Sequence, residues 1–192
     1  MRTILDTITA PRLEILCSTA CETGYSIYKF MQRSSSPLTM MHLVESVDGE
    51  TITNILTLLP TLKYLRLDEL TEPSRLFRAL TIFEDPTTGR VAGTAGRDVI
   101  CPNMQGFRLG DINVDEGTNI LTFVDALLAM VQSRYFILKT FQTIAFGYGP
   151  NDILPIPSLD LDRPGLYDEF YVNHCYEPII IKGDGIPPDL LL

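Results

Sequence analysis

One pattern recurs along this chain and limits what it can fold into. It reads proline, any residue, an apolar residue, two residues of any kind, then two apolar residues one apart. The clearest copy is Pro60-Thr61-Leu62-Lys63-Tyr64-Leu65-Arg66-Leu67, and a second is Pro102-Asn103-Met104-Gln105-Gly106-Phe107-Arg108-Leu109. Pro11-Arg12-Leu13-Glu14-Ile15-Leu16-Cys17-Ser18 ends on Ser18 instead of an apolar residue. In Pro37-Leu38-Thr39-Met40-Met41-His42-Leu43 the proline stands one place late. Leu138-Lys139-Thr140-Phe141-Gln142-Thr143 lacks the proline and ends on Thr143. The first apolar anchors are Leu13, Leu38, Leu62, Met104 and Leu138, at spacings of 25, 24, 42 and 34.

Leu65 and Leu67 alternate with period two, so both point to one face of a short strand, and Leu62 enters the same core from the turn before it. A single unit cannot bury that face alone, so neighbouring units must stack. The first two spacings lie in the leucine-rich-repeat range of roughly 20–29. Helical periodicity fills the gaps. Tyr25 to Arg33 aligns Ile27, Phe30 and Met31. Gly49 to Leu59 aligns Ile52, Ile55, Leu56 and Leu59 before Pro60 stops it. Ser74 to Leu80 aligns Leu76, Phe77 and Leu80, with Ser74 as the expected N-cap. Asn119 to Arg134 repeats Leu121, Val124, Leu127, Leu128 and Val131. The expectation is an α/β leucine-rich-repeat solenoid of about five imperfect repeats, with short parallel strands on the concave face and helices outside.

Residues 1–146 form the expected repeat domain. Within it, 84–97 (Glu-Asp-Pro-Thr-Thr-Gly-Arg-Val-Ala-Gly-Thr-Ala-Gly-Arg) reads as a mobile insertion that lengthens the third spacing. Residues 147–192 are a different kind of chain. From Asn151 onward there are eight acidic and two basic residues, and six of the thirteen prolines. This acidic, Pro-rich tail is read either as a C-terminal cap or as a free extension.

The whole chain carries a net charge of −9 and shows no Lys/Arg cluster, so nucleic acid is not an expected partner. No apolar run approaches the ~20 residues of a membrane span, and no membrane association is expected. Cys17, Cys21, Cys101 and Cys175 are scattered, and the start reads as no secretory leader. Reduced thiols and a cytoplasmic or nuclear location follow.

Four stretches in order carry a family resemblance. They are Arg33-Ser34-Ser35-Ser36-Pro37-Leu38, Leu58 to Leu67, Cys101-Pro102-Asn103-Met104-Gln105, and Ala126 to Arg134. Together they resemble the repeat region of fungal F-box/leucine-rich-repeat proteins, over about residues 4 to 146. The resemblance implies the substrate-binding part of a ubiquitin-ligase receptor and a protein partner not identified by the sequence. The stretch before the first repeat has no room for an F-box, so binding of the ligase adaptor is not expected.

Side chains flanking the strand leucines face the concave surface. These are Met40, His42 and Val44, then Tyr64, Arg66 and Asp68, then Gly106, Arg108 and Gly110, then Thr140, Gln142 and Ile144. The partner-binding candidates among them are His42, Tyr64, Arg66, Asp68, Arg108 and Gln142. Adjacent Arg66 and Arg108 would give a partner carboxylate bidentate contacts; the plainer alternative is an ordinary solvated surface. No enzyme is expected. The two histidines, His42 and His174, sit in no nucleophile motif. Gly89 to Gly96 lacks the Lys-Ser/Thr of a phosphate loop. Metal and cofactor are not expected either. Cys17, Cys21, His174 and Cys175 do not make paired knuckles, and Asp160-Leu161-Asp162 is broken off by Arg163-Pro164. Two other readings stay open. One is a truncated or non-functional repeat remnant that self-associates through an uncapped end. The other is a compact α/β enzyme with a pocket at the strand C-termini, which the near-equal first spacings argue against.

Overall fold

The computed structural model describes residues 4–18, 24–113, 120–141, 143–146 and 180–181. After a 3-10 turn at Ile4–Asp6, the elements run β1 (Ile15–Ser18), α1 (Gly24–Ser34), β2 (Met40–Leu43), β3 (Val47–Asp48), α2 (Gly49–Leu56), β4 (Tyr64–Thr71) and α3 (Pro73–Leu80). Then come β5 (Ile82–Glu84), β6 (Val91–Gly93), β7 (Gly106–Asn113), α4 (Ile120–Ser133), a π turn (Arg134–Leu138), β8 (Thr143–Phe146) and β9 (Ile180–Ile181). The fold is mixed α/β with a mostly parallel sheet. The sheet runs β1-β2-β4-β7-β8 in chain order, every pair parallel; β3 also pairs parallel with β4, and β9 pairs antiparallel with β8.

The repeated apolar positions explain the layers. Met41, Leu43, Leu65, Leu67, Phe107, Leu109 and Ile144 alternate along their strands and are all buried. They share one core with Ile27 and Phe30 of α1, Ile52 and Ile55 of α2, Leu76 and Phe77 of α3, and Leu127 and Val131 of α4. All four helices therefore cover the same face of the sheet, and each packs on the next. The other face is left to the intervening residues. Fully burying a Leu or Phe contributes about 1.5–3 kcal/mol, so this one seam dominates the stability.

The joints between units repeat in the main chain as well. The Glu14 carbonyl accepts from the N–H groups of Thr39 (2.8 Å) and Met40 (3.2 Å). The Thr39 carbonyl accepts from Lys63 (2.9 Å) and Tyr64 (3.0 Å), and that of Lys63 from Gln105 (2.7 Å) and Gly106 (3.0 Å). β2, β4 and β7 thus each start where the previous unit sets them.

Two expectations need correction. The fifth unit is anchored by Phe141, not Leu138. Gly106 pairs with Thr143 and Leu109 with Phe146, so the residue equivalent to Met104 is Phe141, 37 positions later. The reason is the π turn after α4, which keeps Leu138 helical; Lys139, at φ 56°, ends it. Ile144 accordingly points into the core, and the Thr140 hydroxyl donates to the Pro102 carbonyl at 3.5 Å instead of joining the open face. Secondly, Ser74 does not cap α3. Glu72 adopts φ 51° and Pro73 takes the first helical position, where its fixed φ fits and its missing N–H costs nothing. The Ser74 hydroxyl is buried and without a hydrogen-bond partner among the described residues.

The 84–97 insertion carries a short hairpin. β5 and β6 pair antiparallel around a turn in which Asp85 accepts from the Thr87 N–H (2.8 Å) and hydroxyl (2.6 Å). Those hydrogen bonds hold the Asp85 carboxyl down at about 2. The tail at 147–192 lies outside the described residues, β9 excepted.

Candidate functional site

Strand register decides what meets on the open face. Cys17 pairs with His42, His42 with Arg66, Arg66 with Arg108, and Arg108 with Ala145. Neighbouring parallel strands lie about 4.8 Å apart. The side chains at Cys17, His42, Arg66 and Arg108 therefore form one polar rung across β1, β2, β4 and β7. It exists because the apolar alternation hands every second residue of each unit to this face.

Asp68 closes the rung from below. Its Oδ1 accepts from Arg66 Nε at 2.7 Å, and its Oδ2 lies 2.9 Å from His42 Nε2 and 3.5 Å from Arg66 Nη2. The other ring nitrogen, His42 Nδ1, faces Cys17 Sγ at 3.5 Å. Along β4, Leu65, Leu67 and Leu70 are all buried, so the strict alternation slips by one between Leu67 and Leu70. The β4–β7 register runs from Tyr64↔Gly106 to Leu67↔Leu109 and resumes at Glu69↔Asp111. At the gap the two backbones pinch together. A Cβ on Gly110 would stand 2.5 Å from the Asp68 carbonyl oxygen, so only glycine fits there. Asp68 is left 6 % exposed beneath His42 and Arg66.

Burial raises the pKa of Asp68, but the hydrogen bonds from Arg66 and His42 outweigh it and hold the carboxyl below its ordinary value. A carboxyl depressed in the folded state stabilises it above the unfolded pKa of about 3.9, and that contribution fades as pH falls through the lower folded value. The urea midpoint is therefore expected to drop between about pH 5 and pH 3, and Asp68→Asn is expected to flatten that drop. Identical slopes for the two proteins would refute the assignment.

Of the expected partner-binding residues, His42, Tyr64, Arg66, Asp68 and Arg108 come together on adjacent strands, while Gln142 lies outside the described residues. The tyrosine hydroxyl of Tyr64 donates to Gln105 Oε1 at 2.8 Å. The surface is less solvated than its sequence suggests: Arg108 is 5 % exposed, and Asp68 is buried as well. Two features escaped the sequence reading. Cys17 occupies the same repeat position as His42 and Arg66, and aligning the units alone would have placed it on the rung. Arg134, fully buried at the end of α4, carries no repeat signal.

Cys101 is a core thiol. Its Sγ donates to the carbonyls of Leu56 (3.4 Å) and Leu59 (3.3 Å), and burial pushes its pKa up to about 12. Among the described residues no group of three or more His, Cys, Asp or Glu side chains is placed to hold a metal ion. Cys21, Asp160, Asp162, His174 and Cys175 lie outside those residues. Among the described residues no helix is long and apolar enough to cross a membrane. A pocket of about 560 Å³ opens away from the rung, on the helical side, between Thr53, Asn54, Arg78, Arg97 and Asp98. No protein-family model, curated protein or solved structure matches the chain.

Proposed function

We propose that this chain is a leucine-rich-repeat recognition module that binds a protein partner through the open face of its sheet, around Tyr64, Arg66 and Arg108. The observation that carries the reading is the repetition of one joint. Glu14, Thr39 and Lys63 each present a carbonyl to two N–H groups of the next unit, at 2.7–3.2 Å. Identical joints stack equivalent residues in register, and stacked repeats bind through the face that their strands share. Arg66 and Arg108 stand on adjacent strands of that face, with Arg66 held by Asp68 at 2.7 Å and Arg108 5 % exposed, so a partner carboxylate would reach these planar forks only by competing with the contacts they already make. By its resemblance, the chain corresponds to the substrate-receptor repeats of an F-box ubiquitin ligase, acting in the cytoplasm or nucleus without catalysis of its own.

The test is co-purification from lysate with the intact chain and with an Arg66→Ala/Arg108→Ala variant whose urea midpoint has been checked. A partner held by the parent and lost by a folded variant supports the reading. Equal retention by both refutes it. A second reading, a repeat remnant, is favoured by the exposed Ile15 of the edge strand β1 and by the exposed Ile4 and Ile8 that precede it in the chain. Self-association of the same preparation through that edge would favour the remnant.

A further inference from the structure

We propose that Cys17 is a nucleophilic modification site whose thiol is activated by His42 and Asp68, and that it takes small-molecule disulfides. The rung contains the three parts an activated nucleophile requires: a thiol, a base within reach and a group that orients the base. Cys17 Sγ lies 3.5 Å from His42 Nδ1, and His42 Nε2 lies 2.9 Å from Asp68 Oδ2. A carboxylate only accepts, so Nε2 carries the proton in this contact. In the neutral ring that leaves the lone pair of Nδ1 facing the thiol. Asp68 is fixed on its other side by Arg66 Nε at 2.7 Å, so the imidazole is held from below by a carboxylate that is itself held.

The surroundings favour attack. Cys17 is exposed, and β1 has a strand neighbour on one side only among the described residues, so a small molecule can approach the sulfur from the edge. Arg66 continues the rung beyond His42 and pairs with Asp68, so the carboxylate that orients the imidazole is charge-compensated on the side away from the thiol. Cys101 offers the opposite case within one chain, since its thiol is buried against carbonyls.

The step balances as thiol–disulfide exchange. The Cys17 S–H proton passes to His42 Nδ1 while the sulfur attacks one sulfur of the disulfide. The protein–sulfur bond forms, the original S–S bond breaks, and the departing thiolate takes the proton. Cys17 is oxidised to a mixed disulfide, and half of the reagent is reduced to a free thiol.

Dithiodipyridine is the probe, because it is neutral and releases a chromophore. Site-resolved mass spectrometry separates Cys17 from Cys21, Cys101 and Cys175. At pH 7 native Cys17 is expected to react about tenfold faster than Cys17 of the chain unfolded in urea. That is less than the 10²–10⁴-fold effect of a positioned base in an enzyme, since the 3.5 Å contact must still close. His42→Gln is expected to remove the acceleration and Asp68→Asn to reduce it. A native rate no greater than the unfolded one overturns the proposal. So does an unchanged rate in folded His42→Gln. The native-against-unfolded comparison requires no substitution, so it decides the matter even if a variant fails to fold.

Discussion

Arg134→Ala is expected to cost about 3–5 kcal/mol of unfolding free energy, the largest effect of any polar substitution among the described residues. The guanidinium is 0 % exposed. It donates from Nε to the Leu80 carbonyl at 2.7 Å, from Nη1 to Cys101 at 2.9 Å and from Nη2 to Ile100 at 2.5 Å. Leu80 ends α3, where carbonyls lack helical partners and a cation is favoured by the helix dipole. Burial pushes the Arg134 pKa down to about 10, which still leaves it charged at neutral pH. One side chain therefore ties the end of α4 to the end of α3 and to the loop entering β7. Alanine would strip three buried carbonyls of their donors and open a void. Arg134→Leu separates the two costs, because it restores most of the volume but none of the hydrogen bonds. Urea midpoints of the two variants within about 1 kcal/mol of the parent would show that the carbonyls find other donors, and the assignment would fail.

Phe77→Ala is expected to cost a similar amount, about 3–5 kcal/mol, by a different route. Phe77 is 0 % exposed and meets Phe107 of β7 edge-to-face, with ring centroids 5.9 Å apart. On its other side Phe123 of α4 stands 5.6 Å away. The ring fills the seam between the third and fourth units, where sheet and two helices meet. Phe77→Leu keeps much of the volume and is expected to cost less than half as much as the alanine variant, roughly 1–2 kcal/mol. Equal losses for leucine and alanine would mean that ring geometry outweighs volume. A loss under about 1 kcal/mol for alanine would show that the seam collapses to fill the void.

Much of the fold was legible because burial leaves a period in the sequence. Leu62, Leu65 and Leu67 announce a strand and its anchor, and the same spacing at Met104, Phe107 and Leu109 announces its neighbour. The helices were readable for the same reason, since Ile52, Ile55 and Leu56 recur along one stripe. The fifth unit was misplaced where local geometry overrode the period. A π turn inserts helical residues that hydrophobic spacing cannot reveal, and Leu138, Phe141 and Ile144 offer two apolar registers three residues apart. The Arg66–Arg108 neighbourhood followed from register alone. Asp68 was legible as a member of that face but not as a buried one, because the slip in β4 and the close approach of Gly110 are properties of two strands together. The thiol–imidazole contact was missed for a simpler reason. Motif searches look along the chain, and Cys17, His42 and Asp68 are separated by 25 and 26 residues. Only stacking makes them neighbours.

The carbonyls of Glu14, Thr39 and Lys63 carry one more implication, a mechanical one. Along the parallel ladder β1-β2-β4-β7-β8 each strand pairs only with those of the adjacent units, so tension applied between distant points of the chain does not load the whole sheet at once. It is borne by one ladder at a time, starting at an edge, and each ladder has no more than a few backbone hydrogen bonds with which to resist. Under force such a molecule should lengthen in a staircase of small steps, one per unit, in place of a single rupture. The third ladder is the exception, because β4 and β7 share the longest run of pairs in the sheet. Residues 64–113 would then form the mechanical clamp, holding after the units on either side have let go.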